Sequence, residues 1–150
     1  MIEKYLIIAL EEAKKAYKMG EIPIGAVIVK DDHVIGYAHN LKETTQCAVK
    51  HAEIIAIEKA SMELGTWRLL DCDLYVTMEP CIMCCGALSQ ARIRNVYYIV
   101  DNNKFGGTKI LKNDKSYEHI NHVVNYINVD NFSKKQEYVK LLQDFFIEKR

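Results

Sequence analysis

Residues 73–91 read DLYVTMEPCIMCCGALSQA, and the change of pattern inside that stretch decides the fold. Asp73 to Met78 is a short apolar run containing Tyr75, Val76 and Thr77, which predicts a strand. Pro80 follows where a first helical turn tolerates proline, because the N–H it lacks would be unpaired there anyway. The next residues, CIMCCGALSQA, continue as a mostly apolar helix. A strand that runs straight into a helix is the repeating unit of an α/β layer architecture.

The elements on either side extend that pattern. Tyr5, Leu6, Ala9, Leu10, Ala13, Ala16 and Tyr17 recur at spacings of three and four, an amphipathic helix that Gly20 is placed to end. GAVIVK (25–30) reads as a buried strand, Asp31-Asp32 as a turn and HVIGYAH (33–39) as a second strand. Residues 41–50 read as a loop, and 51–64 as a helix apolar over most of its girth, which belongs in an interior. NVYYIV (95–100) is a further strand, 101–108 a loop with Gly106-Gly107, and HVVNYI (122–127) a last strand. Ser133 with Gln136 resembles a capping box for a closing helix through Tyr138, Leu141, Leu142, Phe145 and Phe146. The order α-β-β-α-β-α-β-β-α implies an α/β fold whose sheet is covered by helices on both faces.

A chain of 150 residues suits one domain, expected to span 1–150. It buries roughly 68–70% of its unfolded surface, so it needs no disulfide staple. The five cysteines are odd in number and unevenly spaced, which favours metal or catalytic use over cross-linking. The first apolar stretch is short and bracketed by Glu3, Lys4, Glu11 and Glu12, which spoils a signal peptide or membrane span; a cytoplasmic location is expected. The net charge is zero, so charge does not announce a nucleic-acid binder. Lys104, Lys109, Lys112 and Lys115 cluster, as do Lys134, Lys135, Lys140, Lys149 and Arg150, and both runs read as solvated surface.

Two short pieces carry chemistry: His51-Ala52-Glu53 and Pro80-Cys81-Ile82-Met83-Cys84. Each lies where the chain enters a helix. Two cysteines separated by two residues at a helix start can turn both sulfurs toward one point, where unpaired backbone N–H groups favour thiolate. Two thiolates and an imidazole suit zinc. Structural zinc sites are closed by four protein ligands, whereas catalytic ones keep a position for water. His51, Cys81 and Cys84 make three, and no second CxxC or HxxxH is present. Water on such an ion ionises near pH ~7. Glu53 would reach that water rather than the metal and carry its proton. A CxxC alone also serves as a redox pair or an inert helix start, and an HxE occurs by chance; together, separated by one helix and one strand, they point to catalytic zinc. Cys85 is expected to pack, Cys47 and Cys72 to be small buried hydrophobes, and His119 and His122 to be surface or hydrogen-bonding residues. Glu79 is expected to make a structural hydrogen bond.

The motif pair H-x-E and P-C-x-x-C resembles the cytidine deaminase-like superfamily. EIPIGAVIV, HAEIIAI, LYVTMEPCIMCCGAL with the following ARI, and LLQDFF are similar to the bacterial tRNA-specific adenosine deaminases, so the resemblance runs over nearly the whole chain. It implies a three-layer α/β/α sandwich with a mixed five-stranded sheet and a homodimer. It also implies one Zn²⁺ per chain on His51, Cys81 and Cys84, with Glu53 as proton shuttle. Substrate contacts would fall at Asn40 and Ala52, and contacts to RNA at Lys104, Lys149 and Arg150. The reaction implied is hydrolysis of adenosine to inosine at the wobble position of a tRNA anticodon. Two other readings stay open: a deaminase of a free base or nucleotide such as cytosine or guanine, and a non-catalytic zinc-binding module closed by a fourth ligand, Cys85 or Cys47. The sequence departs from the family at Lys50, where a small residue is usual, and at Asn102-Asn103, where an acidic residue is usual; both bear on substrate preference.

Overall fold

The computed structural model describes residues 1–113 and 122–149. Its elements are α1 (Ile2–Lys18), β1 (Gly25–Lys30), β2 (His33–His39), α2 (Lys42–Thr45), α3 (Ala52–Leu64), β3 (Cys72–Met78), α4 (Ile82–Gln90), β4 (Asn95–Val100), α5 (Thr108–Asn113), β5 (Asn125–Asn128) and α6 (Lys135–Glu148). Five strands form one sheet in the order β2–β1–β3–β4–β5. The β1 strand pairs antiparallel with β2 and β3, while β3–β4 and β4–β5 are parallel, so the sheet is mixed as expected. Among the described residues, no helix is long and apolar enough to cross a membrane.

Successive strand side chains point to opposite faces, and the sequence uses both. Ala26, Ile28, Leu74, Val76 and Val96 pack with Ala52, Ile55, Ala56, Ala60 and Leu88 under α3 and α4. Val27, Val29, Tyr75 and Ile99 pack with Tyr5, Leu6, Ala9, Leu10 and Tyr138 under α1 and α6. The result is a helix–sheet–helix sandwich. Burying Leu6 and Leu10 completely contributes about 1.5–3 kcal/mol each. The α1 helix lies so close to the sheet that a Cβ at Gly25 would overlap the backbone of Ala9 and Ala13.

The β1–β2 hairpin turns on Asp31 and Asp32, both at positive φ (49° and 60°), the backbone that two-residue hairpin turns require. Several local expectations need correction. The stretch expected as a loop over 41–50 contains α2, and the short helix α5 follows directly on the 101–108 loop. The last strand begins at Asn125, not His122, because His122 turns aside and its Nε2 lies 2.7 Å from the Ile93 carbonyl. There is no capping box at Ser133. Its N–H and hydroxyl both donate to the Glu3 carboxylate of α1, at 3.0 Å each, and α6 starts two residues later. Helix α3 is buried on one side only, with Glu58, Lys59 and Met62 exposed on the other. Lys115, His119 and Arg150 lie outside the described residues.

A buried hydrogen-bond relay joins α6 to the segment that starts β1. Gly25 N–H donates to Thr77 Oγ1 (3.2 Å), Thr77 donates to the Tyr138 hydroxyl (3.0 Å), and Tyr138 donates to the Pro23 carbonyl (2.8 Å). Tyr138→Phe strands the Pro23 carbonyl and the Thr77 hydroxyl in a dry interior. We expect it to cost about 1–3 kcal/mol, read as a lower urea midpoint at unchanged slope.

Candidate metal centre and active site

The sheet's polarity gathers the functional segments at one end. Because β1 runs opposite to its neighbours, the carboxyl ends of β2, β3 and β4 all lie at the same edge of the sheet. Each is followed by a segment of interest: Asn40 after β2, Glu79 to Cys81 after β3, and residues 101–108 after β4. Ligand sites in α/β sheets form at this edge, beyond the strand ends.

His51 and Cys81 occupy equivalent places, each the extended residue immediately before a helix, α3 and α4 respectively. Cys84 lies in the first turn of α4 and is fully buried. The His51 Nδ1 stands 3.7 Å from Cys81 Sγ and 3.6 Å from Cys84 Sγ. Among the described residues these three form the one His/Cys/Asp/Glu group able to hold a metal ion, their ligand atoms all within 4.8 Å of one another. The positive ends of two helices converge here, which favours thiolate. The protons are shared accordingly. The hydrogen bond from Cys84 and that with His51 hold the Cys81 thiol down to about 4, while the Cys84 thiol and the His51 imidazole are both raised by bonding to Cys81. Such a donor set gives up its protons when a soft or borderline cation enters.

Glu53 lies in the first turn of α3, two residues beyond His51. It is buried, and its Oε1 has no hydrogen-bond partner among the described residues. Burial pushes its carboxyl up to about 7. A buried carboxyl oxygen with no protein partner, beside a three-ligand group, is placed to bond a water molecule or a substrate ring nitrogen.

Asn40 is buried immediately after β2. Its N–H donates to Ile24 O (3.1 Å) and its Oδ1 accepts from Lys42 N–H (3.1 Å). Ala52 is fully buried at the start of α3. Two further carboxylates, neither of them in the ligand group, hold the surrounding loops. The buried Glu21 accepts the N–H groups of Glu43 (3.1 Å) and Thr44 (2.6 Å), capping α2 with charge at its amino end. Glu79 makes the structural hydrogen bonds expected of it, to Asn102 and Thr108. Glu21 escaped the sequence reading because its partners lie 22 and 23 residues away.

Cys85 is buried with Sγ donating to Pro80 O (3.6 Å), and Cys72 is buried, but Cys47 is only half-buried. Lys50 pairs with Glu58 (2.9 Å), and Asn102 Oδ1 accepts Phe105 N–H (3.1 Å) within its own turn. Lys104 is exposed beyond β4. Lys149 is exposed, and its Nζ would stand 3.3 Å from a Cβ at Gly20, which brings it to the end of α1 that leads into Pro23 and β1.

A family profile described as MafB19-like deaminase matches residues 2–150. The tRNA-specific adenosine deaminase of Streptococcus pyogenes serotype M18 (strain MGAS8232) is 45% identical over 138 residues, covering 92% of this chain and 85% of that one. The chain belongs to this deaminase family. Solved structures agree with that placement. One, from work on A-to-I editing by tRNA:A34 deaminases at the wobble position of transfer RNA, is 38% identical to this deaminase. It superposes with a TM-score of 0.78 over 83% of this chain and 96% of its own. The guanine deaminase of Bacillus subtilis is 32% identical, with a TM-score of 0.67 over 95% and 93%. The deaminase therefore shares its mixed sheet with proteins described as acting on different nucleobases.

Proposed function

We propose that the chain hydrolyses adenosine to inosine at the wobble position of a tRNA anticodon, releasing ammonia. The observation that carries this is the three-ligand group with the unpartnered Glu53 Oε1 beside it, taken with 45% identity to a relative named for that activity. His51, Cys81 and Cys84 would hold one Zn²⁺, whose chemistry is the activation of water at neutral pH. Glu53 takes one proton from the attacking water and delivers it to adenine N1. Once the water oxygen is bonded to C6, Glu53 takes its remaining proton and gives it to the amino group, which leaves as ammonia with N1 protonated and a carbonyl at C6. Burial keeps bulk water from competing for that proton. Ala52 sits against the ring and Asn40 offers its amide to the nucleoside. Asn40→Ala is expected to lower kcat/KM about 10- to 100-fold without loss of metal, because a site built to hydrogen-bond its substrate suffers when one partner goes. Steady-state kinetics with metal analysis check it.

An anticodon loop leaves its bases unpaired, so the target leaves the stack more cheaply than from a duplex. A chain of zero net charge can bind the loop's shape without a long phosphate track. Lys104, Lys149 and Arg150 are the candidates for the few phosphate contacts required. The reading includes a cytoplasmic setting, where tRNA is found. It also includes a homodimer, supported by the half-exposed Ile82 and Ile110 on the outer side of α4 and α5; sedimentation at twice 17.3 kDa checks that part. The deciding experiment incubates the zinc-loaded protein with an anticodon stem-loop carrying adenosine at the wobble position. Inosine there, with free guanine and cytosine left intact, supports the proposal. Turnover of a free base with the RNA untouched would replace it.

A further inference from the structure

Glu79 is 3% exposed and lies two residues before Cys81, yet it is not one of the metal-holding group. Its Oε1 accepts Asn102 N–H at 3.1 Å. Its Oε2 accepts both the N–H (3.3 Å) and the hydroxyl (2.5 Å) of Thr108. One carboxylate thereby grips both ends of the loop between β4 and α5. Between those ends the loop lies flush on the peptide that bears Cys81. Gly107 N–H donates to Pro80 O at 2.9 Å, and Gly106 bridges to Cys81 in antiparallel fashion. A Cβ at Gly106 would stand 2.5 Å from Glu79 Oε2, and one at Gly107 would meet the backbone of Ile82 and Cys81. The outward tip of this loop carries Lys104 and Phe105, the latter 70% exposed. An exposed aromatic ring on a backbone this firmly held is a pre-organised stacking surface.

We propose that Glu79 is a positioning residue for the substrate: by clamping residues 102 and 108 onto the Cys81 peptide it fixes the 101–108 loop as a wall of the nucleoside pocket, with Phe105 set to stack on a base beside the target. The inference rests on the RNA reading above. A carboxylate is needed because all three partners are donors, and an amide would turn its NH₂ against one of them.

The test compares wild type, Glu79→Gln, Thr108→Val, Thr108→Ser and Phe105→Ala, all zinc-loaded. Amide exchange over residues 101–108, zinc per chain, and kcat and KM on an anticodon stem-loop are measured. Glu79→Gln is expected to speed exchange at Asn102 and Thr108 and to raise KM about tenfold with kcat within about threefold, because a loop loosened in the free enzyme must be re-ordered when substrate binds. Thr108→Val should move both readouts the same way by a smaller factor, and Thr108→Ser should restore them. Phe105→Ala should raise KM while exchange at Asn102 and Thr108 stays slow. The proposal is overturned if KM holds while kcat and zinc fall together, since Glu79 would then serve only Cys81. It is equally overturned if exchange quickens with no change in KM. A wild-type chain that leaves the stem-loop adenosine intact sinks the RNA reading instead, and the two failures are told apart because exchange needs no turnover.

Discussion

Glu53→Gln is expected to slow inosine formation by about three orders of magnitude or more while the protein keeps its metal and its fold. The size follows from what the side chain does: positioned proton transfer contributes about 10²–10⁴-fold, and here one carboxylate serves both the attack and the departure. The fold is safe because the glutamine is the same shape and Glu53 Oε1 has no partner to lose among the described residues. Neutralising a carboxylate that burial already disfavours in its charged form leaves stability unchanged or higher. Zinc per chain, thermal midpoint and single-turnover rate on the stem-loop are the three readings. Metal lost in proportion to activity would make Glu53 a ligand and remove it as the proton carrier.

Cys84→Ala is expected to abolish both metal retention and turnover. Three protein ligands leave no reserve, so removing the most buried one leaves His51 and Cys81, a pair that does not hold zinc through dialysis. An ion held by His51, Cys81 and Cys84 would tie the starts of α3 and α4 together, so its loss should also lower the thermal midpoint by several degrees, as for any ligand bound only by the folded state. A chelator should reproduce the effect in the wild type, and added zinc should reverse it there but not in the variant. Cys85→Ala is the companion control. Its sulfur already donates to Pro80 O, so the metal should stay. Metal retained in Cys84→Ala but lost in Cys85→Ala would mean a differently closed site and would revive the non-catalytic zinc-binding reading.

The long elements and the ligand group were legible in the sequence because each is local. The three- and four-residue spacing from Tyr5 to Ala16, the apolar runs of β1 and β4, and the H-x-E and P-C-x-x-C pieces all carry their signal within a dozen residues. What the sequence did not yield depends on partners far along the chain. Ser133 and Gln136 have the spacing of a capping box, but Glu3, 130 residues away, takes both Ser133 donors. Helix α2 is four residues long and depends on the Glu21 carboxylate, which no local pattern announces. Glu12 looks like a solvated face of α1, yet it is buried against His39 of β2 (2.9 Å) with Lys15 at its rim (2.6 Å). The two departures from the family, at Lys50 and at Asn102-Asn103, also have local contacts that the sequence does not announce. In the fold, Lys50 is spent on Glu58 and the Asn102 side chain on its own turn.

The alignment of three strand termini at one edge separates what the molecule must keep from what it can alter. Both packed layers sit behind that edge, so the exposed side chains on the connections after β2 and β4 can be recoded while the body that carries them folds as before, as long as Asn40, Glu79, Gly106 and Gly107 stay in place. A library confined to the exposed residues 43–45 and 103–105 would explore base preference on a chassis that need not be redesigned.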